Sequence, residues 1–78
     1  MLLDKIREIL KEELNIDPED VVESASFKED LGVDSLDLFE MLMNLEEEYG
    51  FEIPAEDLET LETVGDVIDY LQRMGVEG

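Results

Sequence analysis

Residues 29–72 form a stretch of 44 residues holding 15 Asp or Glu and not one Lys or Arg. A segment so one-sided has no internal cation to neutralise it, and high net charge is the usual signature of disorder. Any fold here must come from the placement of its apolar residues, which make up 44% of the chain. Their spacing is regular, and it predicts order. The charge is concentrated: the first 14 residues carry four acids and three bases, whereas the full chain reaches −19. Such a surface repels nucleic acid and anionic lipid, and suits partners with basic patches, which it would meet quickly and in fixed orientation.

Leu3, Ile6, Leu10 and Leu14 recur at steps of three and four, flanked by Leu2 and Ile9, and predict a helix over 2–14. Residues 15–34 read as a long connection. Asp17-Pro18-Glu19-Asp20 is a turn signal, Ser26-Phe27-Lys28-Glu29 has capping-box spacing, and Val21, Val22, Phe27 and Leu31 are placed to pin the loop to a core. A second helix spans 35–49, capped by Asp34 or Ser35 and ended by Gly50. Phe51-Glu52-Ile53-Pro54 is extended, and 55–61 has room for a short helix with Leu58 and Leu61 inward. Thr63-Val64-Gly65-Asp66 opens a last helix along Val64, Val67, Ile68, Leu71 and Met74 to Gly75. No segment alternates long enough for a strand. The expectation is an all-α, small four-helix bundle, in one domain over 1–78, with three main helices, one short one and a long loop between the first and second.

The absence of His and Cys excludes most autonomous chemistry. There is no imidazole base, no thiolate nucleophile, no disulfide and no thiolate metal site. No twelve-residue loop has the acid spacing of a calcium-binding hand, which leaves only diffuse divalent binding by the acid clusters. No apolar run exceeds three residues, so no membrane-spanning segment and no signal-peptide core is expected. A cytoplasmic, non-enzymatic monomer is the expectation.

The second helix is more apolar than one buried face requires. Leu38, Leu42, Leu45 and Tyr49, with Met41, complete a core stripe, while Leu36, Phe39 and Met43 lie on another face. One reading buries both stripes in a central helix. The other leaves Leu36 and Met43 as a contact patch, with Phe39 closing against the bundle. Asp37, Glu40 and Glu47 run beside that stripe, with Asp34, Glu46 and Glu48 near its ends and no cation at i+4. A charge run is commonly just a solvated face; here a basic partner would relieve the repulsion. Ser35 is either the cap or, if Asp34 caps, a free hydroxyl at a helix start, where a phosphate ester would meet exposed N–H groups. Without a His it is a substrate for another enzyme, not a nucleophile on its own account.

Leu31-Gly32-Val33-Asp34-Ser35-Leu36-Asp37, followed by Leu45-Glu46-Glu47-Glu48-Tyr49-Gly50-Phe51-Glu52-Ile53-Pro54 and Thr63-Val64-Gly65-Asp66, closely resembles the acyl carrier proteins of dissociated bacterial fatty acid synthesis. The resemblance implies that Ser35 carries 4′-phosphopantetheine, transferred from coenzyme A by a phosphopantetheinyl transferase, with acyl groups held on its thiol as thioesters. It also implies that Asp34, Asp37, Glu40, Glu46 and Glu47 meet basic patches on that transferase and on fatty acid synthesis enzymes, with Leu36 and Met43 supplying the apolar contact beside them. Phe39, Leu45, Ile53 and Leu61 would line an acyl pocket. Two further readings stand beside this one: an acidic adaptor without cofactor, and a specialised carrier for polyketide or lipid-modifying pathways. The first would keep its partner in a Ser35→Ala variant.

Overall fold

A computed structural model describes residues 2–76. Its elements are α1 (Leu2–Leu14), a 3₁₀ turn (Pro18–Asp20), α2 (Ser35–Tyr49), α3 (Ala55–Leu58) and α4 (Val64–Arg73). No strand is present among the described residues; one isolated antiparallel bridge joins Ser26 to Thr63.

The helices assemble because each carries one apolar stripe. Leu2, Ile6, Ile9 and Leu10 of α1, Leu38, Met41, Leu42 and Leu45 of α2, and Val64, Val67, Ile68 and Leu71 of α4 share one core. No polar or charged side chain is buried among the described residues, so the acids are left in water, where they cost least. Lys5 reaches across from α1 to Glu48 of α2 at 3.2 Å, and that contact holds its ammonium protonated to higher pH than usual.

The 20-residue connection is pinned, by a partly different set of residues from those expected. Val21, Ala25, Phe27 and Val33 are buried and Leu31 half-buried, but Val22 is 42% exposed. The backbone explains the exchange. Segment 23–27 lies along the start of α4, with Phe27 N–H donating to Glu62 O, Val64 N–H to Ala25 O and Gly65 N–H to Glu23 O at 2.8–3.0 Å. Arg7 Nε adds a bond to Val21 O at 2.9 Å. These bonds fix the loop backbone against α1 and the start of α4. In the turn after Ser26, its hydroxyl accepts from Glu29 N–H as expected, while the reciprocal acceptor for Ser26 N–H is Asp30.

Two helix ends differ from the sequence expectation. The short helix stops at Leu58 rather than 61, although Leu61 is buried beyond it and Leu58 half-buried. Met74 is the C-cap of α4 and 42% exposed, not part of its inner stripe. Gly75, at φ 84°, reverses the chain there; Val76 N–H then returns to Leu71 O and the Val76 side chain takes the buried seat.

Candidate functional site

The start of α2 is organised by Asp34. Its extended backbone places Oδ1 2.8 Å from the Asp37 N–H, and its carbonyl accepts from Leu38 N–H at 2.9 Å. The cap is therefore Asp34, and Ser35 occupies the first helical position. Ser35 is exposed, and its hydroxyl has no hydrogen-bond partner among the described residues. The first N–H groups of a helix point outward and carry the positive end of its dipole, so an anion esterified to Ser35 would be stabilised there.

Ser35 also borders an open cleft of about 850 Å³ between α2, α3 and the 24–30 segment. Its apolar lining comes from Phe27, Leu38, Phe39 and Leu42 on one side and Leu58 and Leu61 on the other. Of the four residues expected around an acyl chain, Phe39 and Leu61 line this cleft. Leu45 is fully buried in the core, and Ile53 is half-buried against it, so neither reaches the lining. Phe39 is 45% exposed and stands at the rim instead of closing against the bundle, because the cleft beside it is open to solvent.

The outer face of α2 follows from its 3.6-residue period. Once Leu38, Met41, Leu42 and Leu45 face the core, Leu36, Phe39 and Met43 are turned outward, at 65%, 45% and 43% exposure. The reading that buried both stripes fails, since neither α1 nor α4 covers this side. Glu40 and Glu47 are exposed beside the patch and Asp37 is half-exposed. Glu46 is different. It is half-buried, and its Oε2 accepts from Ile53 N–H at 2.7 Å, which ties the extended segment after α2 back onto the helix.

The arrangement holds a reactive-group anchor without any group able to activate it. A hydroxyl, a helix N-terminus and an apolar cleft fit a phosphate-linked prosthetic group whose distal end is greasy. The whole-chain comparison agrees. Residues 4–71 match the family model described as a phosphopantetheine attachment site. The chain is 53% identical over 72 residues to an acyl carrier protein of Thermosynechococcus vestitus, covering 92% of this chain and 89% of the relative. Against acyl carrier proteins of Chlamydia muridarum and Wolinella succinogenes the identities are 55% and 49%, covering 92% and 91% of this chain and 94% and 93% of those relatives.

The chain belongs to the acyl carrier protein family.

As a member of the acyl carrier proteins it is a carrier and not a catalyst, holding acyl groups as thioesters on covalently attached 4′-phosphopantetheine in fatty acid synthesis. The prosthetic group supplies the thiol that this Cys-free chain lacks. A cofactor-free acidic adaptor is set aside by the same match. No helix of this acyl carrier protein is long and apolar enough to cross a membrane, among the described residues.

Proposed function

We propose that Ser35 is the attachment point, in a single carrier domain over 1–78. The observation that carries this is the division of labour at the start of α2: Asp34 caps the helix, so the exposed Ser35 hydroxyl is free for a phosphodiester. A phosphopantetheinyl transferase supplies the base that this chain lacks. Asp34, Leu36, Asp37, Glu40, Met43 and Glu47 form the face that meets the transferase and the fatty acid synthesis enzymes, with Leu36 and Met43 as the apolar centre and the acids aimed at basic patches. Glu46 supports that face by holding the Ile53 segment while leaving its charge at the edge. The acyl chain enters the cleft past Phe39 and lies among Leu38, Leu42, Leu58 and Leu61, with Leu45 and Ile53 behind them. The protein works as a cytoplasmic monomer, supported by its self-repelling surface.

The test is intact mass after incubation with coenzyme A, magnesium and a broad-specificity phosphopantetheinyl transferase, alongside Ser35→Ala. One phosphopantetheine added to the parent and none to the variant is the expected result. Equal addition to both would move the site away from Ser35.

A further inference from the structure

Lys28 has no role in the carrier function described so far. It lines the same cleft as Ser35 and is, among the described residues, the only base that does. The other bases in the first half of the chain are engaged: Lys5 with Glu48, Arg7 with Asp4 and Val21 O, and Lys11 with Asn15. Arg73 lies at the far end of α4. Lys28 makes no ion pair or side-chain hydrogen bond among the described residues, although Glu29, Asp30, Glu59 and Glu62 border its cleft.

Its backbone is held in place. Ser26 O accepts from both Asp30 N–H and Leu31 N–H, and Ser26 N–H donates to Asp30, which closes a tight turn around Lys28. Phe27 O, directly before Lys28, accepts from Val33 N–H at 2.7 Å, and Val33 lies two residues before Ser35. The turn that carries the cation is thus bonded to the strand of chain that leads into the attachment serine.

We propose that Lys28 is a positioning residue for the prosthetic group, pairing with the phosphodiester anion on Ser35 and setting the direction in which the arm leaves the helix. A new negative charge at Ser35 enters a surface with 15 acids and no base between residues 29 and 72, and Lys28 is the cation that shares its cleft. Charge-assisted contacts of this kind weaken as salt screens them. The proposal rests on attachment at Ser35.

The experiment is phosphorus NMR of the loaded parent, Lys28→Met and Lys28→Arg, with peptide mapping of the prosthetic group in each. At low salt the phosphodiester resonance of Lys28→Met moves away from that of the parent and Lys28→Arg stays with it. In about 1 M salt, where the screening length is about 3 Å, parent and Lys28→Met converge. Loading also raises the parent's melting temperature more than that of Lys28→Met. Coincident low-salt resonances, with the group mapped to Ser35, overturn the role of Lys28 and leave the attachment site standing. Mapping to another residue overturns the attachment reading, and this proposal with it.

Discussion

Tyr70 on α4 donates its hydroxyl to Oδ2 of Asp57 on α3 at 2.7 Å. α3 is a four-residue turn whose N-terminus has no side-chain cap, and it forms one wall of the cleft. An isolated turn of that length has no stability of its own. The Tyr70–Asp57 bond fastens it to α4. That bond, followed by burial and by the charges of Asp57 and Glu46, pushes the Tyr70 hydroxyl up from 10.0 to about 12.

Removing the hydroxyl in Tyr70→Phe should lower stability by about 1 kcal/mol, a typical net hydrogen-bond contribution. The gap depends on pH. Only the protonated phenol donates, and the folded state holds that proton more tightly than the unfolded chain. The bond's contribution is therefore complete below pH 10 and is lost as pH rises toward 12. Urea titrations of parent and variant at pH 8, 10 and 11.5 should show the gap closing. A gap that is constant across that range would mean the hydroxyl does not donate to Asp57.

Asp34 and Ser35 are neighbours with opposite expected costs. Asp34→Ala removes the acceptor for Asp37 N–H and should cost about 1 kcal/mol. Ser35→Ala removes an exposed hydroxyl with no partner and should change stability by no more than about 0.5 kcal/mol. Thermal melts of both variants check the pair, and a large loss in Ser35→Ala would mean the serine has a structural duty.

The acids of α2 should separate in the same way. Lysine at both Glu40 and Glu47 reverses two exposed charges, so cofactor loading should slow at least several-fold while the fold is kept. Glu46→Ala leaves Ile53 N–H without its acceptor and should cost about 1–2 kcal/mol. Loading kinetics and urea midpoints distinguish the two behaviours. Unchanged loading in the double variant would take Glu40 and Glu47 out of the recognition face.

At a net charge of −19, self-repulsion opposes the compact state. The melting temperature should climb as sodium chloride rises from low to molar concentration, because the screening length falls from about 30 Å at 0.01 M to about 3 Å at 1 M. A flat profile would show that the acids are spaced too widely to interact.

The three main helices were legible because apolar residues at steps of three and four have one physical meaning when the intervening residues are acids. Caps were legible for a similar reason: Thr63 and Asp66 satisfy each other's backbone N–H groups within four residues. Choosing between Asp34 and Ser35 was harder, since both residue types cap helices and only the backbone turn decides which oxygen reaches Asp37. Val22 and Met74 misled because an apolar residue in a loop or at a helix end has no period to fix its direction. Glu46, Tyr70 and Lys28 carried no local signal. The bonds of Glu46 and Tyr70 reach partners seven and thirteen residues away, and Lys28 shares a cleft with Ser35 only through the fold; nothing at those spacings announces either.

The sequence alone determined the helices, the acidic face and a Ser at the head of α2 with no base to activate it. These are local matters of periodicity, charge count and missing residue types. The tertiary structure decided which apolar stripe of α2 was covered, where the cleft opened beside Ser35, and which acid was tied inward. Those depend on how α1, α3, α4 and the pinned loop divide a limited buried surface, and a helix cannot specify which of its own faces its neighbours will leave in water.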